Sequence, residues 1–215
     1  MKQSHKPFDE VAAHYDAWFD SEKGRTIFER EVDCLRSLMA STPGRWLEVG
    51  VGTGRFAAAL GVAEGVDPSA SMRALADRRG IRTADGVGEC LPCPDKNFHG
   101  VLMTTTLCFL ADPEKSLKEC HRVLKDRGRL VVGMIPADSA WGRDYARKAA
   151  KGHPIYSAAT FHTCDESLSW ARREGFELEA ASSCLFAPAG FPAVEGRPRK
   201  GIVEGAGFVA IAFAK

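Results

Sequence analysis

A chain of 215 residues has room for one domain with at most a small appendage. Its 29 basic and 28 acidic residues leave a net charge of +1, which removes the electrostatic case for a nucleic-acid partner, while a hydrophobic share of 45% is enough for a core. No apolar stretch approaches the roughly 20 residues of a membrane helix, and Met1 to Lys6 carry no apolar segment of the secretory kind, so a cytoplasmic protein without membrane association is expected.

In chain order, Phe8, Val11, Ala12, Tyr15 and Phe19 fall at helical spacing, with Trp18 completing the stripe. Ile27 to Met39 repeats the pattern, and Gly24 is expected to separate the two helices. Pro43-Gly44 ends the second helix and opens a strand over Arg45 to Val49. Further strands are expected at Ala63 to Val66, Ile81 to Ala84, Phe98 to Thr104 and Gly128 to Ile135, with helices over Ala70 to Arg79 and Pro113 to Leu124. Strands alternating with helices argue for a parallel sheet covered on both faces. The last third reads as a polar helix over Ser139 to Lys151, a loop to Thr163 and a helix over Asp165 to Glu174. Strands at Glu177 to Phe186 and Phe208 to Phe213 then suit an antiparallel hairpin at the sheet edge.

The most informative stretch is Leu47-Glu48-Val49-Gly50-Val51-Gly52-Thr53-Gly54, a strand that ends in an acid and a glycine turn, followed by the helix start Arg55-Phe56-Ala57-Ala58-Ala59-Leu60. The glycines permit a tight turn and close approach of a ligand, and the helix start offers free N–H groups. A dinucleotide fingerprint would read G-x-G-x-x-G. Here the spacing is G-x-G-x-G, and Arg55 stands where that fingerprint has its third glycine. Glu48, two residues before the first glycine, suits a cationic ligand better than a diphosphate. Asp67 ends the second strand in Glu64-Gly65-Val66-Asp67-Pro68-Ser69, at a carboxyl strand end, where open parallel sheets bind ligands.

These segments resemble motif I (LEVGVGTGRF) and the post-I motif (GVDPSASM) of the class I S-adenosylmethionine-dependent methyltransferases, methyltransferase-11 type. Ala84 to Ile135 continues the resemblance through LPCPDKNFHGV and HRVLKDRGRLVV, with Cys93, His99 and Asp126-Arg127 as departures. The resemblance implies an α/β, doubly wound Rossmann-like fold. Its mostly parallel seven-stranded sheet has helices on both faces and an antiparallel edge hairpin, with the last strand between the fifth and sixth. It further implies a helical lid over residues 1–42, a cofactor-binding core over 43–135 and an acceptor-pocket segment with closing strands over 136–215.

The same resemblance assigns S-adenosyl-L-methionine as cofactor. The glycine turn (Gly50, Gly52, Gly54), Glu48, Asp67 and Pro68 hold it, with Asp67 on the ribose hydroxyls. Tyr15 on the lid faces it, and Thr104 and Thr105 lie beside its methionine part. Relatives carry an adenine-binding Asp where this chain has Val87, so adenine falls to backbone around Gly88 and Glu89, or to Asp85. Relatives build the acceptor pocket after the fifth strand, here Trp141, Arg143, Tyr145, His153, Tyr156, Phe161 and His162. Either His153 or His162 would serve as a base, or lie on the surface. Arg25 and Arg55 either grip a carboxylate of a ligand or form surface ion pairs.

Seven cysteines at irregular spacing fit reduced thiols. Cys90 and Cys93, flanked by Pro92 and Pro94, read as loop residues with no second pair to complete a metal site, and Cys34, Cys108, Cys120 and Cys184 read as small core fillers. No metal is expected. The expected activity is methyl transfer to a small-molecule acceptor by a monomer or homodimer. The alternatives are a cofactor-binding module without turnover and a nicotinamide-dependent oxidoreductase.

Overall fold

A computed structural model describes residues 6–188 and 197–215, with side chains from Phe8 onward. Helices α1 (Lys6–Trp18) and α2 (Glu22–Met39) precede β1 (Trp46–Val49), α3 (Arg55–Leu60), β2 (Glu64–Asp67), α4 (Ala70–Arg78), β3 (Arg82–Asp85) and β4 (Phe98–Thr104). Then follow α5 (Pro113–Val123), β5 (Leu124–Met134), α6 (Ala140–Ala150), α7 (Cys164–Arg173), β6 (Glu177–Cys184), β7 (Arg199–Lys200) and β8 (Phe208–Ala214).

One sheet runs β3-β2-β1-β4-β5-β8-β6-β7. The first five strands in that order are parallel, and β8 lies antiparallel between β5 and β6. This is the Rossmann-like arrangement expected, including the inserted last strand. Side chains alternate across the sheet. Leu102, Val131, Ala210 and Ala212 pack on one face with α2 and α3, while Val101, Met103, Leu130, Val132 and Ile211 pack on the other with α5 and α7. Each face therefore has its own apolar layer.

Four expectations are corrected. The sheet has eight strands, not seven, because Arg199–Lys200 pairs with Ser182 and Ser183 at the edge; a short basic strand there blunts an otherwise open edge. Gly24 does not separate two helices but sits in the first turn of α2, where Ser21 caps the helix. A Cβ on Gly24 would lie 2.0 Å from the Trp18 carbonyl oxygen, so the glycine lets α2 start directly against the end of α1. Strand β5 begins at Leu124 rather than Gly128. It carries a bulge between its pairings with Phe98 and Gly100, with Arg127 at φ 62°. Trp18 is 39% exposed rather than fully part of the α1 stripe.

Candidate active site

The turn after β1 is built by glycines at φ 71° (Gly50), 54° (Gly52) and 79° (Gly54). Gly50 and Val51 N–H both donate to the Val66 carbonyl, which ties the turn to β2. Each glycine has its own neighbours. A Cβ on Gly50 would strike the Thr106 side chain at 2.4 Å, and one on Gly54 would strike Ala76 of α4 at 2.9 Å, whereas one on Gly52 would meet nothing within 4 Å. Gly50 and Gly54 thus serve internal packing, and Gly52 borders open space.

Asp67 ends β2 beside that space. Its Oδ2 accepts from Gly52 N at 2.8 Å and its Oδ1 from Ser69 N at 2.9 Å. Each oxygen keeps a further acceptor position. Burial raises its pKa, and the two amide bonds oppose that shift. Pro68 leads into Ser69, the N-cap of α4. Helix α1 reaches this corner, where Asp9 accepts from the Ser69 hydroxyl at 2.6 Å and from Ser71 N at 3.2 Å. Phe8 meets Phe109 edge-on at 4.9 Å.

Glu48 is 1% exposed at the end of β1, and its Oε2 has no hydrogen-bond partner. Burial pushes its pKa up to about 8, with the Thr104 hydroxyl and the Ala57 amide opposing that shift and the Asp67 carboxylate adding to it. Thr104 at the end of β4 is also buried with an unpartnered hydroxyl. Thr105 follows at φ 51°, a conformation costly for a β-branched residue and held by Thr105 N donating to the Gly133 carbonyl at 2.7 Å.

The segment expected near adenine forms a tight turn closed by Cys90 N donating to the Val87 carbonyl, with Val87 41% exposed. Gly88 is packed against Ser116 of α5. The Glu89 carboxylate accepts from Ala111 N and Asp112 N, at 2.8 and 3.2 Å, ahead of α5. Asp85 is ion-paired with Arg73 at 2.7 Å.

A small cleft of about 20 Å³ lies beyond β4 and β5. Thr105, Leu107, Cys108, Met134, Ile135 and His162 line it. Burial holds the Tyr15 hydroxyl of α1 well above its usual range, and the neighbouring acidic groups add to that shift. Of the other pocket candidates, Tyr145 and Tyr156 stack at 4.4 Å, and His153 stacks on Tyr156 at 4.3 Å. Trp141 is a core residue, 2% exposed and bonded to the Ala187 carbonyl, while Arg143 is exposed. Burial lowers the pKa of both His153 and His162. Arg55 binds Asp16 of α1 and Asp20 just beyond it, and Arg79 joins at Asp16, all at 2.8 Å. The Arg55 guanidinium therefore fastens the end of α1 to α3. Cys34, Cys120 and Cys184 are buried as expected, but Cys108 is half-buried on the cleft, where its pKa is pushed up to about 12. No cluster of metal-binding side chains occurs among the described residues.

Glu31 escaped the sequence reading. It is 7% exposed, on the buried stripe of α2 with Ile27 and Leu35. The available signal was an acid placed four residues from each of two core positions.

The space over Gly52, the two spare acceptor positions on Asp67, and the unpartnered Glu48 and Thr104 oxygens fit a cationic adenosyl cofactor and do not fit a pyrophosphate. A family model described as "Methyltransferase domain" matches residues 47–132. A crystal structure of a Thermotoga maritima S-adenosylmethionine-dependent methyltransferase, described as a "possible histamine N-methyltransferase", superposes with a TM-score of 0.89 at 35% identity over 99% of each chain. An uncharacterized protein of Mycobacterium tuberculosis is 44% identical over 93% of this chain and 70% of its own length. A demethylmenaquinone methyltransferase of Geobacillus kaustophilus is 26% identical over 90% of each. The chain belongs to the class I S-adenosylmethionine-dependent methyltransferases. No helix among the described residues is long and apolar enough to cross a membrane.

Proposed function

We propose that the protein transfers a methyl group from S-adenosylmethionine to a small-molecule acceptor held between α1, α2 and the segment after β5. Glu48 carries this reading, as a carboxyl closed off from water with a free oxygen and no counter-charge, beside the glycine turn. Such a group is costly to bury unless a ligand pairs it.

The bound cofactor supplies a methyl group on a sulfonium, already a good leaving arrangement. The protein's part is to bind and orient. Asp67 accepts the ribose hydroxyls, Glu48 balances positive charge at the methionine end, and Thr104 and Thr105 line the strand ends beside it. Helix α1, fastened through Arg55 and Asp16, keeps water out, and Tyr15 divides cofactor from acceptor. Fixed geometry alone is worth roughly 7–11 kcal/mol of barrier in such displacements. A nicotinamide reading is disfavoured because Glu48 would face a diphosphate and Arg55 is committed to the lid.

The reading is tested by incubating the protein with methyl-labelled cofactor and a panel of amines, alcohols, thiols and carbon acids. Label should move to at least one class. Tight cofactor binding with no transfer to any member would leave a cofactor-binding module instead.

A further inference from the structure

The cleft at the carboxyl ends of β4 and β5 carries one imidazole, that of His162. Backbone bonds on either side set its place: Thr160 N donates to the Cys108 carbonyl at 2.7 Å, and Ala137 N to the His162 carbonyl at 2.9 Å. The ring is half-buried and lies nearly perpendicular to Trp170 at 4.8 Å, and neither of its nitrogens has a hydrogen-bond partner among the described residues. His153 is placed otherwise. Its Nδ1 accepts from Ile155 N and Tyr156 N, at 3.3 and 3.4 Å, its ring stacks on Tyr156, and it does not line the cleft. The rest of the wall is Leu107, Met134 and Ile135, with Thr105 and the Cys108 thiol, whose raised pKa keeps it protonated. Glu166, the charged group that acts on His162, is bonded to the Thr163 amide and hydroxyl at 2.7 and 3.0 Å. A space of about 20 Å³ admits one water or one small terminal group, so it takes the reacting end of a ligand and not its body.

We propose that His162 is the base that takes the proton of the methyl acceptor, and that the acceptor presents a phenolic hydroxyl to this cleft; the proposal rests on the methyltransferase reading above. The wall holds no carboxylate to pair with a cation. A neutral hydroxyl instead donates one hydrogen bond to the free imidazole nitrogen and leaves the apolar wall undisturbed. An aliphatic alcohol holds its proton too tightly for an imidazole, whereas a phenol, with a pKa of about 10, is within reach. The O–H bond breaks and its proton joins the His162 nitrogen. The electron pair left on oxygen forms the new bond to the methyl carbon, and the pair of the broken C–S bond returns to sulfur. The positive charge of the sulfonium thus reappears on the imidazolium, with nothing oxidised or reduced. Burial lowers the His162 pKa, with Glu166 opposing the shift, so the ring is neutral and able to accept at neutral pH.

The test follows labelled methyl transfer by the full chain from S-adenosylmethionine to phenol, 4-methylphenol and 4-nitrophenol at about pH 8, below the ordinary phenol pKa of about 10. The nitrophenol ionises unaided there and needs no base. Wild type should methylate at least one of the two un-ionised phenols. His162→Gln and His162→Asn should slow that transfer by about 10²–10⁴-fold, while transfer to 4-nitrophenol changes little and S-adenosylhomocysteine binds as in wild type. The wild-type rate should fall in acid as the ring takes up its proton. In the variants it should instead climb with pH as the phenol ionises by itself, and added imidazole should restore part of the loss. A wild-type rate that does not fall in acid, equal loss toward ionised and un-ionised phenols, or full activity in either variant overturns the proposal. Wild type that binds S-adenosylhomocysteine yet methylates no phenol overturns the proposal alone, whereas wild type that does not bind it overturns the methyltransferase reading as well.

Discussion

Asp67 and Gly52 are joined by a 2.8 Å hydrogen bond from the Gly52 amide to Asp67 Oδ2, so the acid that ends β2 also holds the turn that follows β1. Asp67→Asn keeps the shape but turns an N–H donor toward Gly52 or Ser69. The unliganded protein should lose roughly 1–3 kcal/mol, read as a lower urea midpoint at unchanged slope.

Gly50 and Gly52 should respond differently to alanine. Both have positive φ, so either change strains the backbone by about 1–2 kcal/mol. Gly50→Ala also drives a methyl into Thr106 and should lose stability well beyond that. Gly52→Ala meets no protein atom. It should melt only slightly below wild type yet bind S-adenosylhomocysteine much more weakly, because the methyl enters the space the cofactor needs.

Glu48 makes stability depend on pH in a defined sense. Its pKa rises from 4.5 to about 8 on folding, so the folded state holds a proton that the unfolded chain has released. The associated stability is complete below pH 4.5 and is lost as pH climbs through about 8. Glu48→Gln removes this dependence. At the alkaline end the variant should be more stable than wild type by roughly 1–3 kcal/mol, seen as a flatter plot of Tm against pH, and it should bind S-adenosylmethionine less well.

Arg55 links the end of α1 to the glycine-turn helix. Arg55→Ala removes four hydrogen bonds to Asp16 and Asp20. Amide exchange along α1 should accelerate by about tenfold or more, while exchange in β4 and β5 stays as in wild type. Cofactor dissociation should quicken in parallel.

The parts of this site visible in the sequence are those with local causes. Glycines at fixed spacing dictate the turn, and an acid after a short apolar run dictates the end of β2. What stayed hidden depends on distant partners. Gly24 reads as a break, yet its meaning is the Trp18 carbonyl against which it packs. Strand β7 has only two residues and exists through its pairing with β6. Gly88 and Glu89 read as backbone partners of a ligand, whereas the bonding of the Glu89 carboxylate to the amides ahead of α5 is foretold by no local pattern. Glu31 is not legible because helical periodicity assigns charged residues to the outer face, whereas this one lies on the buried stripe of α2 with Ile27 and Leu35.

The central claim is that the turn at Gly50 to Gly54 and the carboxylate of Asp67 together bind the adenosyl cofactor. Calorimetric titration of S-adenosylmethionine into wild type and Asp67→Ala tests it most directly. One equivalent should bind to wild type, and the variant should bind roughly 10–100-fold more weakly, as loss of a charged acceptor for two hydroxyls requires. Equal affinity for both proteins, or no binding to wild type, would contradict it.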